Sequence, residues 1–445
     1  MSDVDLLEKV AVLGAAGKMG SGITLLTALE MADLSLDPAN AGRKFALTAI
    51  DISAQALADL RKYLRAQVLR AAEKKTVRLR SLYMHRTDLV ENEEVINQYI
   101  EDVLDLVHPA TDIAAAAECR VVFEAASENL DLKIKLLSGI RDRNTREAWF
   151  LTNTSSIPIS ELDAKAGLGG RIIGFHFYNP PAVQKLVEVI AADSTNPELT
   201  EFAGRFAARL RKTVVPSRDV AGFIGNGHFM RDALHALSET DRLAKDHGFT
   251  TAIAMIDKVS RDFLIRPMGI FQLIDYVGVD VCQCILRVMD ERLPGQGLHS
   301  SLLDQMMELE VKGGQFADGS QKDGFLKYEK GRPAGVFDPQ AKTYVSLPEI
   351  AGTVDEKLGP LPGSAKPWKA AMQLPDRPGF LEGFFRELKD MKTPGAEIAV
   401  SYGRKSREIG QGLVDDGVAA NAEDVNTVLL TGFYHAYGPI NPYFD

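Results

Sequence analysis

A histidine and a glutamate stand inside two neighbouring apolar segments of this 445-residue chain. His176 lies in RIIGFHFYNP and Glu188 in LVEVI, and both segments have the pattern of buried strands. A buried carboxylate is costly unless it is paired, and only a short loop separates the segments, so we expect Glu188 to contact His176. Such a pair is typical of a general base, because the acid fixes the tautomer and stabilises the imidazolium. A His–Glu pair that only satisfies the core is the alternative.

Two further polar side chains stand in short motifs on either side of that pair. Ser155 belongs to NTSS, which follows an apolar strand end, and Asn226 belongs to GFIGN. By themselves both residues have structural explanations. A serine before ISEL suits a helix N-cap, and an asparagine suits a local cap or turn.

A glycine turn near the N-terminus predicts a dinucleotide site. In KVAVLGAAGKMGSGITLL, an apolar strand is followed by Gly14, Gly17 and Gly20, which lead into a helix. The spacing Gly-x-x-Gly-x-x-Gly has one residue more than the Gly-x-Gly-x-x-Gly fingerprint, and a tight strand-to-helix corner is the alternative. Asp51 ends the next strand, KFALTAID, where a carboxylate accepts hydrogen bonds from the adenosine ribose. It would also repel a 2′-phosphate, which favours NAD over NADP, whereas an exposed strand-end aspartate is the alternative.

The elements that must position these groups alternate between strand and helix. CRVVFEAASENLDLK predicts another buried strand followed by a turn and a helix, with Glu128 just beyond the carboxyl end of the strand, where open parallel sheets bind ligands. We therefore predict an α/β, doubly wound Rossmann-type sheet, followed by all-α domains whose apolar residues recur at helical spacing. The predicted boundaries are an NAD-binding domain at 1–215 and helical domains at 216–345 and 346–445. Around Pro348, and again at KLGPLPGSAKPW, we expect loops.

Composition narrows the partners and the compartment. The formal net charge of -10 disfavours nucleic acid and anionic membranes as partners and favours a small molecule. Three cysteines without zinc-ligand spacing suit a reducing cytoplasm, and we expect no metal site. We also expect no membrane span and no removed leader, because the N-terminus is acidic and no apolar stretch is long enough. The basic stretch from Arg61 to Arg80 is either a solvated helix face or a surface for a phosphate-rich ligand such as coenzyme A.

Several motifs in order resemble the L-3-hydroxyacyl-CoA dehydrogenase family: GSGI, ENLDLK, NTSS, GFHFYNP, KLVEVI, VVPSRDVAGFIGNG, RPMGIFQLIDYVG and GFLKYEKG. The resemblance implies that His176 is the base, that Glu188 pairs with it, and that Ser155 and Asn226 contact the substrate oxygen. It implies NAD as the cofactor and an acyl-CoA as the substrate. The cofactor contacts it implies are Gly14, Gly17, Lys18, Met19, Gly20, Asp51, Glu128 and Lys133.

The chain departs from the family pattern at three places. The glycine turn is longer, Ala221 stands where proline commonly precedes the Gly-Phe-Ile motif, and Gly227 and His228 follow Asn226 where the family often has arginine. The longer glycine turn and Gly227 keep a second function open, the oxidation of a small free hydroxy acid or sugar acid without coenzyme A. A non-catalytic NAD-binding protein is a third possibility.

The last hundred residues contain a weak internal repeat. AEDVNTVLLTGFYHAYGPINPYFD echoes TAIAMIDKVSRDFLIRPMGIFQLID. A similar plan, with two tandem helical units after one Rossmann domain, occurs in the multifunctional fatty-acid oxidation enzymes that this chain resembles. We therefore predict that the two helical domains pair within one chain, whereas generic helix composition is the alternative.

Overall fold

The computed structural model describes residues 2–316 and 319–445 and divides them into two compact units, up to Asp219 and from Val220 onward. The first unit is built on one sheet of eight strands in the order β3-β2-β1-β4-β5-β6-β7-β8. Its strands are β1 (Lys9–Leu13), β2 (Ala46–Ile50), β3 (Val107–Ala110), β4 (Val121–Glu124), β5 (Trp149–Thr152), β6 (Ile172–Phe177), β7 (Leu186–Ile190) and β8 (Thr213–Ser217).

Helices connect and cover these strands. They are α1 (Asp3–Leu7), α2 (Lys18–Ser35), α3 (Ala54–Lys74), α4 (Thr76–Leu82), α5 (Asn92–Asp105), α6 (Leu130–Arg141), α7 (Ile159–Ala166) and α8 (Pro197–Arg209), with short 3₁₀ turns at Pro38–Asn40 and Ile113–Ala116. Because helices lie over the sheet, its central strands are buried along their length, as the runs in β4, β6 and β7 show.

The strand order reverses at β1, which pairs in parallel with β2 on one side and with β4 on the other. At such a reversal the connecting helices leave in opposite directions, and the crevice at the carboxyl ends of the strands is the usual ligand site. All neighbouring strands are parallel except β6 and β7, which are antiparallel. That exception sets His176 directly opposite Glu188.

The second unit is mainly helical. Its helices are α9 (Gly225–His247), α10 (Phe249–Lys258), which continues into a π-helical turn at Val259–Phe263, α11 (Ile270–Val277), α12 (Val279–Arg292), α13 (Ser301–Glu308), α14 (Leu347–Leu358), α15 (Trp368–Ala371), α16 (Arg377–Asp390), α17 (Pro394–Asp415) and α18 (Ala422–Gly432). One hydrophobic core runs through it from Ala221 to Phe444.

The predicted fold class, a Rossmann-type sheet followed by a helical region, is confirmed, with two local differences. An antiparallel sheet of β9 (Leu326–Glu329), β10 (Arg332–Asp338) and β11 (Thr343–Ser346) interrupts the helices. The prediction of a loop around Pro348 is wrong, because Pro348 lies in the first turn of α14. A proline is tolerated there, since the N–H that it lacks would have no partner within the helix. The separation of 216–345 from 346–445 stays a prediction. Within the described ranges, no helix combines the length and apolar character needed to cross a bilayer.

Candidate active site

The glycine turn is closed by contacts that only glycine permits. Gly14 has a φ of +69°, and a Cβ there would lie 2.6 Å from the carbonyl oxygen of Ala125, which follows β4. A Cβ on Gly20, in the first turns of α2, would lie 1.9 Å from the carbonyl oxygen of Gly14. The turn therefore brings the start of α2 against the ends of both β1 and β4.

The additional residue of the turn is absorbed by backbone hydrogen bonds. The buried Ala15 donates its N–H to the carbonyl of Ile50 at 3.1 Å, and Gly17 donates to Gly14 at 3.0 Å. The N–H of Ala16 donates to Oδ2 of Asp51 at 3.1 Å, so Asp51 is held against the turn from the end of β2.

The remaining residues expected at the turn lie at the start of α2. Gly17 is the N-cap position, and no side chain in the described part of the chain caps this helix. Lys18 is exposed and Met19 is half-buried in its first turn. Backbone N–H groups at an uncapped helix start are suited to a phosphate.

A buried ion pair lies beside the turn. The Nζ of Lys133, on α6, donates to Oε1 and Oε2 of Glu124 at 2.8 and 2.9 Å, and Glu124 also accepts the hydroxyl of Thr152 at 2.6 Å. Both charged side chains are at most 1% exposed. Burial disfavours the ammonium, but the charges of Glu124 and Glu128 outweigh it and hold the pKa of Lys133 above its usual value.

Glu128 organises the NTSS loop that follows β5. Its Oε1 accepts the hydroxyl of Thr154 at 2.7 Å, the N–H groups of Ser155 and Ser156 at 2.9 and 3.0 Å, and the Ser156 hydroxyl at 2.9 Å. The Ser155 hydroxyl lies 3.3 Å from the same oxygen. Burial opposes ionisation, but the Lys133 charge and these donors lower the pKa of Glu128. Ser155 is therefore oriented by a carboxylate that stays charged.

His176 and Glu188 make the contact that the sequence predicts. Nδ1 of His176 lies 3.1 Å from Oε1 of Glu188, and both residues are buried, at 7% and 0% exposure. A carboxylate only accepts, so the neutral ring carries its proton on Nδ1 and leaves Nε2 as the basic nitrogen. The NTSS loop reaches the same strand, because the N–H of Phe177 donates to Oδ1 of Asn153 at 2.9 Å.

Tyr178 is a second partner of the same carboxylate. Its hydroxyl donates to Oε1 of Glu188 at 2.7 Å. Burial and the negative charge of Glu188 raise the pKa of Tyr178 well above its usual value, so the phenol stays a donor. Glu188 is thus held by two side chains on one oxygen.

Asn226 lies in the second unit, in the first turn of α9. The residues before it form a tight entry to that helix, with Gly222 and Phe223 at φ +86° and +50°. Its expected contact with the substrate oxygen stays a prediction.

The basic stretch from Arg61 to Arg80 covers the second part of α3 and most of α4, and acids from other elements neutralise part of its charge. Arg65 pairs with Glu101 of α5 at 2.6 Å, and Lys75 pairs with Asp33 of α2 at 2.7 Å. The Arg65 pair is about half exposed and supports the solvated-face interpretation, whereas Lys75 is mostly buried and also donates to the hydroxyl of Tyr99 at 2.6 Å.

Comparison with known proteins shows that two consecutive parts of the chain match the two domains of one protein family. Residues 9–220 match the NAD binding domain of 3-hydroxyacyl-CoA dehydrogenase, and residues 222–328 match its C-terminal domain. A probable 3-hydroxybutyryl-CoA dehydrogenase of Deinococcus radiodurans is 32% identical over 223 residues, which cover 50% of this chain and 78% of the relative. The chain belongs to the 3-hydroxyacyl-CoA dehydrogenase family.

Two further members extend the match along the chain. A probable 3-hydroxybutyryl-CoA dehydrogenase of Bacillus subtilis is 29% identical over 331 residues, 72% of this chain and 98% of the relative. A solved 3-hydroxybutyryl-CoA dehydrogenase of Escherichia coli K12 shares the fold over 98% of this chain and 90% of its own, with 22% identity and a TM-score of 0.63. Family membership confirms the predicted oxidoreductase class and NAD as the cofactor.

The residues of this 3-hydroxyacyl-CoA dehydrogenase family member fit NAD. A side chain at Gly14 or Gly20 would clash with the backbone of Ala125 or of Gly14, so glycine keeps the turn tight, and the uncapped start of α2 faces the same turn. Asp51 stands at the end of β2, where a ribose is bound in this fold. Lys133, expected among the cofactor contacts, has its Nζ on Glu124 and within 3.4 Å of Glu128, so in this structure it acts on the acids beside the turn.

Sequence reasoning missed Glu124 and Tyr178. Glu124 is the last residue of β4 in VVFEAA, and a charge at the end of an apolar run is a signal that could have found it. Tyr178 lies two residues after His176, and alternation places positions i and i+2 on one face of a strand. Its polar tip was hidden among the aromatic residues of GFHFYNP.

Proposed function

We propose that this protein oxidises the 3-hydroxyl group of a 3-hydroxyacyl-CoA to a 3-oxo group, with NAD as the acceptor. The observation that carries the proposal is the buried His176–Glu188 pair next to the Ser155 loop, both at the carboxyl end of the NAD-binding sheet. The names of the relatives support the acyl-CoA substrate.

Different side chains of the first unit have different roles in this reaction. NAD, when bound, accepts the hydride from C3 of the substrate. Nε2 of His176 takes the hydroxyl proton, and the Glu188 carboxylate stabilises the imidazolium that results. In each turnover, one alcohol and one NAD are converted to one ketone and one NADH, and the released proton is held on His176. Ser155, whose backbone N–H is held by Glu128, turns its hydroxyl from that carboxylate to donate to the substrate oxygen and so favours the reacting geometry.

The first test is a pair of histidine variants. Replacing the base, His176→Gln, should lower kcat by roughly 100-fold or more and leave the affinity for NAD nearly unchanged. His108→Gln, at an exposed histidine on the edge strand β3, is the matched control and should have no effect. Turnover of the His176 variant near that of the wild type would show that another group is the base.

The substrate class needs a separate comparison, because the longer glycine turn and Gly227 leave a free hydroxy acid open as the substrate. The reverse reaction should be followed as loss of NADH absorbance with acetoacetyl-CoA and, in parallel, with several free 3-oxo acids. We expect turnover with the CoA ester to exceed that with every free acid. A preference for a free acid would assign the protein to the alternative function.

The segment from 346 onward serves, in our proposal, as a degenerate second helical copy that docks on the first within the chain. The long helices α9 and α17 are followed by the shorter α10 and α18, so the order of elements repeats. Buried polar contacts join α9 to α17: Nε2 of His228 lies 3.1 Å from the carbonyl of Ser406, and the Tyr402 hydroxyl lies 3.1 Å from Asp232. We also propose a reducing compartment, the cytoplasm, which the free thiols of Cys119, Cys282 and Cys284 support.

A further inference from the structure

An apolar groove in the first unit uses none of the residues proposed for the reaction. It lies under α3 at the edge of the sheet, where β3 is the outermost strand, and encloses about 540 Å³. That volume falls within the range of roughly 300–1,000 Å³ that is typical of small-molecule sites. Ten of its twelve lining residues are apolar, so the groove favours an apolar ligand body.

Small side chains create the groove. Ala49 and Ala110 line it from β2 and β3, and Ala54 and Ala58 line it from α3, above a buried floor that includes Leu64. The α3 positions recur at helical spacing between residues 54 and 64, so they share one face of the helix. At 1.5 Å per residue this face is about 15 Å long, which suits an extended alkyl chain.

Arg61 places a positive charge at the rim of the groove. One of its amino groups lies 3.4 Å from the carbonyl of Leu104, and no carboxylate of the described residues is within ion-pair distance. Arg65, about one turn further along α3, is instead paired with Glu101. A guanidinium beside an apolar groove is complementary to a carboxylate that carries an apolar chain.

We propose that this groove binds a medium-chain fatty acid, with the alkyl chain along α3 and the carboxylate on Arg61. The proposal does not rest on the proposed function, although Ala110, which lines the groove, accepts the N–H of Asp51 at 3.1 Å, so competition with NAD is part of the test. A neutral alcohol of the same length lacks the group that Arg61 recognises, and the ligand class is therefore testable by its head group.

The test is a calorimetric titration of the full chain with octanoate and with octanol, first without NAD and then in the presence of saturating NAD. Filling the rim with Ala58→Leu should weaken octanoate binding at least tenfold, whereas Ala66→Leu, the same change on α3 outside the groove, should not change it. Arg61→Gln should weaken octanoate binding about five- to tenfold and leave octanol unchanged, because the rim is solvent-exposed and the pair is screened. Arg65→Gln is the matched control for the charge.

Each other outcome overturns the proposal. If octanoate does not bind, or if it binds and Ala58→Leu does not weaken it, the groove is not its site. If octanol binds as tightly as octanoate, or if Arg61→Gln weakens both alike, the carboxylate is not recognised there. If NAD displaces octanoate, the ligand occupies the cofactor cleft. Ala58 is exposed, and an unfolding midpoint of Ala58→Leu within a few degrees of the wild type shows that loss of binding is not loss of fold.

Discussion

Replacing Glu188 with glutamine removes one charge from the proposed base and almost no volume. The amide oxygen of the new side chain can still accept from both His176 and Tyr178, so the geometry is preserved and the stabilisation of the imidazolium is lost. At the 3.1 Å separation of Nδ1 and Oε1, the charge–charge attraction is about 5 kcal/mol at an effective dielectric constant of about 20. The hydrogen bond to the neutral amide recovers part of that energy, which leaves a loss of about 3 kcal/mol.

That loss corresponds to a fall in kcat/KM of roughly 100-fold or somewhat more. The assay is the steady-state oxidation of 3-hydroxybutyryl-CoA, followed by NADH absorbance. Tyr178→Phe is the companion variant, which keeps the charge and removes one donor, so its effect should be much smaller. A kcat/KM of Glu188→Gln within threefold of the wild type, in a protein that unfolds normally, would refute the role of Glu188.

Three more predictions concern the cofactor, the buried ion pair and the tail. Asp51→Ala should weaken NAD binding and reduce the preference for NAD over NADP, as measured by calorimetry with both nucleotides. Equal affinities of the wild type for NAD and NADP would contradict the role of Asp51 in that preference. Lys133→Met leaves Glu124 buried without its cation and should lower the free energy of unfolding by about 3–5 kcal/mol, seen as a lower urea midpoint. Lys135→Met, at an exposed position of the same helix, should change that midpoint little. Deleting everything after Leu347 should expose an apolar face and produce dimers or aggregates in light scattering, and a stable monomer would contradict the internal pairing.

The His176–Glu188 pair could be found in the sequence, because a charged residue in a buried segment requires a partner. A glutamate in LVEVI and a histidine in GFHFYNP each break an apolar run, which indicates that they are partners. The glycine turn could also be found in the sequence, because only glycine fits where two backbone segments approach each other closely. The register between β6 and β7 could not be predicted from the sequence. Antiparallel pairing of two strands within a mainly parallel sheet depends on the path of the chain through the whole sheet.

The ion-pair network shows where sequence reasoning stops. The resemblance implies a cofactor contact for Lys133, which stays a prediction, and sequence spacing does not say that its Nζ also reaches Glu124 on β4 and Glu128 after it. The basic stretch is a similar case. Its charges are conspicuous in an acidic chain, yet their partners, Asp33 and Glu101, come from α2 and α5.

The sequence by itself determines the features of this protein that depend on neighbouring residues. Apolar runs, turn residues and helical spacing act over a few residues, so the strands, the glycine turn and the division into sheet and helices could be inferred from the sequence by itself. Which charges neutralise one another, which carboxylate orients Ser155, and where alanines leave a groove beneath α3 depend on residues far apart in the chain. Those contacts exist only once the sheet has assembled, because the side chains concerned meet across strands and helices that the sequence does not place side by side.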